Sequence, residues 1–176
     1  YFVWAIVGGG RTFVVDTGFD GPMAEKRDRK ITHAVDEGLA AVGIRHADVQ
    51  DVIVTHMHYD HCGNGALFPN ARFHLQDTEM EYVTGRCMCH HQINHAFEAD
   101  DVSRMVHRVF AGHVQFHDGT DEIAPGITAV ATLMALFWLP ETVHRTTAST
   151  GLPFRAMGGM LPRPHLRRCR CARCAP

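Results

Sequence analysis

The sequence predicts a layered α/β domain. Three observations point to it. Two short apolar runs joined by a Gly-rich turn open the chain, a nearly continuous apolar run lies at 49–55, and stretches with helical spacing alternate with such runs up to about residue 130. Strand and helix patterns mixed in one segment bury their apolar faces best as helices layered on a sheet. A chain of 176 residues is long enough for one compact domain with its own core. The longest apolar run, AVATLMALFWL at 129–139, has 11 residues. A helix that crosses a bilayer needs about 20, so no membrane span is expected.

The elements follow in order. YFVWAIV (1–7), GGGR and TFVVDTG (12–18) read as a β-hairpin, with Asp16-Thr17-Gly18 ending the second strand in a turn. Residues 21–43 read as a helix, with Pro22 at its start and Gly43 at its stop. Ile31, Val35, Leu39 and Val42 fall on one face of it and His33 lies off that face, toward solvent. VQDVIVT (49–55) suits a strand buried on both faces. ARFHLQ (71–76) is a further strand, and DTEMEYVT (77–84) begins a helix with an acidic first turn. EADDVSRMVHRVF (98–110) is helical, with Val102, Met105, Val106 and Val109 on one side. HVQFHDG and DEIAPGITAV read as short strands, in which His113 and His117 are taken as ordinary exposed residues.

Directly after the buried strand comes VTHMHYDHCGN (54–64), with His56, His58, Asp60 and His61 in H-x-H-x-D-H order. Neutral imidazole and carboxylate are donors that zinc and similar divalent ions accept. In extended backbone His56 and His58 point to one face, and the turn that follows can aim Asp60 and His61 at a neighbouring point. Gly63 and Gly65 let the chain bend sharply there. Such a segment can serve two metal ions. A chain with 14 histidines sets some of them side by side by accident, and surface histidines are the alternative reading. Three imidazoles and a carboxylate in this order, on the end of a buried strand, favour the metal reading. Cys62 beside them reads as a small filler rather than a ligand. CMCHHQINH (87–95) reads as a substrate-side or solvated loop, a separate zinc site being the lesser alternative.

THMHYDHCGN resembles the signature loop of the metallo-β-lactamase superfamily, and the DTG-ended hairpin and DVIVT strand fit its first half. LFPNARFHLQDTEMEYVTGR and FHDGTDEIAPGITAV are similar to the N-acyl homoserine lactonases within it. The resemblance covers residues 1 to about 130. It implies an αββα sandwich, of which this chain carries the N-terminal half, with the C-terminal part incomplete or aberrant. It also implies two divalent metal ions, zinc foremost: His56 and His58 on the first, Asp60 and His61 on the second. By the same resemblance, a hydroxide shared by the ions would attack a lactone carbonyl, and Asp60 would also pass a proton to the leaving oxygen. A thioester or β-lactam hydrolase is the alternative within the class. A non-catalytic remnant is the alternative outside it.

The text changes character after residue 131. Residues 1–131 carry ten Lys and Arg against eighteen Asp and Glu, a net of −8, while 132–176 carry seven Arg and one acid, Glu141, a net of +6. Five of the eight prolines and Cys169, Cys171 and Cys174 also lie there. The superfamily's third histidine, in a GGH-x-x-G-like segment, its bridging aspartate and its last histidine are expected in this part. It contains no Asp, and its only histidines, His144 and His165, sit in no matching motif. These residues therefore read as an Arg/Pro/Cys-rich tail, 132–176, disordered and produced by loss of the reading frame. If so, another frame of the same DNA encodes a GGH-type segment at this point. Its arginines could meet phosphate backbones, but an Arg-rich tail with a single acid reads as simply unstructured, and no nucleic-acid partner is expected. The C-x-C-x-x-C spacing of its thiols lacks a clear fourth ligand for zinc. The start at Tyr1, without Met, reads as an internal start. With no regular disulfide framework, the expected compartment is the cytoplasm. The expected partner is a small lactone, and oligomeric state has no signature in the sequence.

Overall fold

A computed structural model describes residues 1–129. Every reading made above for residues 132–176 lies outside the described residues. Seven strands and six α-helices are present among those that are described. The strands are β1 (Trp4–Gly8), β2 (Arg11–Val15), β3 (Asp51–Ile53), β4 (Arg72–Gln76), β5 (Val114–His117), β6 (Asp121–Ala124) and β7 (Ile127–Ala129). The helices are α1 (Gly21–Lys26), α2 (Val35–Ala41), α3 (Tyr59–Cys62), α4 (Asp77–Thr84), α5 (His91–Asn94) and α6 (Ala99–Phe110).

β1 to β5 form one sheet in chain order. The opening hairpin is antiparallel, with Gly8 opposite Arg11. Gly9 and Gly10 between them both take positive φ, 57° and 76°. That is the backbone a two-residue hairpin turn requires, and side chains with a Cβ resist it. The remaining pairings, β2 with β3, β3 with β4 and β4 with β5, are parallel. Parallel neighbours need crossovers, which the helices supply. β6 and β7 form a separate antiparallel hairpin.

Side chains alternate across the sheet. Val14, Val52, Val54, Phe73 and Leu75 share one face and pack against Leu39 of α2, Val83 of α4 and Met105 of α6. All of them are buried, Val14 and Val52 completely. The opposite face is more polar. Along it Arg11 donates to Asp51 at 2.8 Å, and Asp51 stands 3.1 Å from His74 Nε2. His74 Nδ1 is 2.9 Å from His117 Nε2, and His117 Nδ1 is 2.7 Å from Asp121. This chain of contacts links β2, β3, β4, β5 and β6. It corrects the expectation that His117 is an ordinary exposed residue: it is 4% exposed and bonded at both nitrogens. His113 is exposed as expected.

The stretch 21–43 is not one helix. α1 ends at Lys26, Asp28 takes a left-handed φ of 50°, and α2 begins only at Val35. The interruption lets Arg27 turn inward, donating to His95 O at 2.6 Å and Glu98 at 2.5 Å, with its guanidinium 4.4 Å from the centre of the Tyr59 ring. These tertiary contacts outweigh the helical propensity of the segment. Of the four apolar residues assigned to a common face, only Leu39 is buried, and Val42 is 67% exposed.

Candidate metal centre

β3 ends at Ile53 and the chain leaves the sheet carrying the four donors. Val54 N–H makes the last bond to the neighbouring strand, to His74 O. The backbone is still extended at His58 (φ −64°, ψ 152°), and His56 and His58 meet edge to face with ring centres 4.5 Å apart. α3 then turns the chain, so that the His61 ring lies tilted by 44° against His56, at 3.8 Å between ring centres. Its Nε2 comes within 3.3 Å of Asp60 Oδ2. The structure thus brings all four sequence-predicted residues together at the carboxyl end of β3. Ligands of open α/β sheets characteristically bind at that end of the strands.

Neighbouring segments fix this loop. The turn after β2 receives α3: Thr17 N–H donates to His61 O at 2.7 Å, and Gly63 N–H to Gly18 O at 2.9 Å. The approach is so close that a Cβ on Gly63 would stand 2.8 Å from Tyr59 O and 3.0 Å from Gly18 O. Space, not torsion, requires glycine there. On the other side Tyr59 N–H donates to Ala96 O, and Phe97 packs its ring edgewise on His58 at 4.5 Å. The end of the 87–97 segment therefore lies on the site. Cys62 is buried and turns its Sγ to the carbonyls of Met57 and His58, as a filler does.

Two carboxylates that the sequence reading did not single out complete the surroundings. Asp16, 4% exposed, accepts from Thr55 N–H at 2.8 Å through Oδ1, and its Oδ2 is 2.7 Å from His61 Nδ1. Its φ of 62° is left-handed, a conformation aspartate tolerates better than most residues. The D-T-G after an apolar strand is the signal that could have found it. Glu79 of α4, 6% exposed, accepts from Met57 N–H at 2.7 Å. Its signal is fainter, an acid on the apolar side of a short helix.

Burial and its neighbouring imidazoles push His56 down to about 3, so this ring is a neutral donor at ordinary pH. Burial also lowers His58, against the pull of Asp60. For His61 burial opposes the charge, but hydrogen bonds to Asp16 and Asp60 outweigh it and raise the ring to about 9. Burial likewise works against ionised Asp60, and His61 overcomes it, holding the carboxyl below its usual range. In kind, these donors fit a divalent cation: neutral imidazoles at His56 and His58, an ionised carboxylate, and a His61 that gives up a proton to become a donor, with Asp16 behind it fixing which nitrogen faces outward. The rings pack edge to face and tilted against one another, with His61 between Asp16 and Asp60. Among the described residues no group of three or more His, Cys, Asp or Glu side chains is arranged to hold a metal ion.

A cavity of about 650 Å³ adjoins the site through Phe97. Val83, Met88 and Val102 line it together with Lys26, Arg27 and Glu98. Among the described residues no helix is long and apolar enough to cross a membrane.

The metallo-beta-lactamase superfamily matches residues 1–131, close to three quarters of the chain. This protein belongs to the metallo-beta-lactamase superfamily. Its members typically use divalent metals, usually zinc, and the fold is that of hydrolases. Three solved structures share the fold of this superfamily chain. A quorum-quenching N-acyl homoserine lactone lactonase is 22% identical with a TM-score of 0.54, the match covering 72% of this chain and 48% of that one. A variant of B. thuringiensis AiiA with N-decanoyl-L-homoserine bound at the active site is 19% identical, with a TM-score of 0.55 and coverage of 73% and 51%. An N-acyl homoserine lactone hydrolase with N-hexanoyl-L-homoserine bound at its catalytic metal center is 18% identical, with a TM-score of 0.54 and coverage of 72% and 50%. The chain spans about half the length of these solved structures.

Proposed function

We propose that this chain carries the metal-binding half of a hydrolase that opens a lactone ring, with His56, His58, Asp60 and His61 as donors to two divalent ions, zinc foremost. The observation that carries the reading is the convergence of these four side chains at the end of β3, with Asp16 behind His61. A bound ion pair supplies an activated hydroxide and polarises the carbonyl. The chain's own residues do the rest. His56 and His58 stay neutral and so remain available as donors at ordinary pH. Asp16 holds the proton on His61 Nδ1, leaving Nε2 as the donor atom. Asp60, beside that nitrogen, can pass a proton to the oxygen released on ring opening. The cavity beyond Phe97, with apolar and polar lining side by side, suits an amide-linked acyl chain.

Four donors split between two ions leave each site short, so turnover by this chain is low. The test is ring opening of an N-acyl homoserine lactone, followed by proton release with and without added zinc, in the chain and in an Asp60→Asn variant. Metal-dependent turnover that falls in the variant supports the reading. Metal-dependent turnover of a thioester or β-lactam alone would replace the substrate class.

A further inference from the structure

The backbone N–H groups of the donor loop can be followed one by one. Val54, Tyr59, His61, Cys62 and Gly63 donate to backbone carbonyls, and Asn64 donates to the Thr17 hydroxyl. Two of the loop's amides end on carboxylates that come from outside the loop, Thr55 on Asp16 and Met57 on Glu79. Asp16 is accounted for by His61, which it faces at 2.7 Å. Glu79 is not. It is 6% exposed, and no Lys, Arg or His pairs with it among the described residues. A neutral side-chain carbonyl would accept the same bond without taking a charge out of water, which is the costly part of burying a carboxylate.

The place of that bond is informative. Met57 lies between His56 and His58, and its side chain is fully buried in the core. Its N–H therefore points at Glu79 while the flanking imidazoles carry the donor atoms. Burial raises the Glu79 carboxyl above its ordinary range, while the Met57 N–H and the nearby His61 favour its charged form. A negative charge under the loop lowers the energy of positive charge above it.

We propose that Glu79 is a positioning residue whose charge, bonded to the backbone between His56 and His58, strengthens the hold of the donor loop on a divalent cation. The inference rests on the proposed function, since it presumes that the loop takes up such ions. The test uses the full chain and its Glu79→Gln variant, which keeps the acceptor oxygen and removes the charge. Metal-free thermal melting and Co²⁺ uptake read by visible absorbance are measured on both. The variant should melt at the same temperature or higher, because a buried charge is gone, yet bind Co²⁺ about 10- to 100-fold more weakly. A purely structural acceptor would not produce that opposition. Equal Co²⁺ affinity in both proteins overturns the role of Glu79 alone, as does a variant that melts lower or does not fold. Failure of the unaltered chain to take up Co²⁺ overturns the proposed function, and this inference with it.

Discussion

Replacing Asp16 with Asn probes the link between the first hairpin and the donor loop. Asp16 Oδ2 lies 2.7 Å from His61 Nδ1, while Asp60 Oδ2 lies 3.3 Å from Nε2. Together they raise His61 to about 9 from an ordinary value of about 6.5, and at about 1.4 kcal/mol per unit that rise is worth about 3 kcal/mol. The shorter contact carries the larger share, so Asp16→Asn should cost about 2 kcal/mol near neutral pH. The folded-state value is raised. The contribution is therefore fully present below about 6.5 and fades as pH climbs through about 9. Urea unfolding of both proteins near pH 7 and near pH 10 measures it, with NMR following the His61 imidazole. The cost should shrink at the higher pH, and His61 should fall toward an ordinary histidine. An equal cost at both pH values, or a His61 titration that does not move, would refute the reasoning.

Other outcomes follow from the same geometry. His56, held down at about 3, is neutral when folded and protonates more readily when unfolded, so metal-free stability should rise between about pH 3 and 6.5 by up to about 1.4 kcal/mol per unit. With His61 acting in the opposite sense above that range, denaturation midpoints should peak near neutrality. Gly63→Ala forces a Cβ against two backbone oxygens. It should cost about 1–3 kcal/mol in thermal melts and weaken zinc uptake together. Removing His117 by Ala leaves His74 Nδ1 and Asp121 without the partner between them. A loss of about 1–3 kcal/mol is expected, read by urea unfolding.

Much of this architecture could be read in the amino acids. The Gly9-Gly10 hairpin, the strand at 71–76, the helix over 77–84 and the helix after Glu98 all carry local signals that nothing nearby contradicts. The convergence of His56, His58, Asp60 and His61 was legible for a similar reason: they lie within six residues, so spacing alone brings them together. What could not be read depends on partners far along the sequence. The break between α1 and α2 is set by Arg27 reaching Glu98, and periodicity over 21–43 carries no trace of that pairing. His117 is buried because β5 lies beside β4 and so beside His74. Asp16 and Glu79 reach the loop from the turn after β2 and from α4, across separations of 39 and 22 residues. The four proposed donors are adjacent in the chain, and the residues that support them are remote.

The account stands or falls on whether the loop after β3 receives divalent ions. Zinc titration of the full chain, followed through the ¹⁵N resonances of its imidazoles, tests this most directly. The resonances of His56, His58 and His61 should move together, and His61 should give up its proton, while exposed His33 and His113 stay in place. Zinc that shifts His90, His91 and His95 in their stead, or that leaves every imidazole where it was, would contradict it.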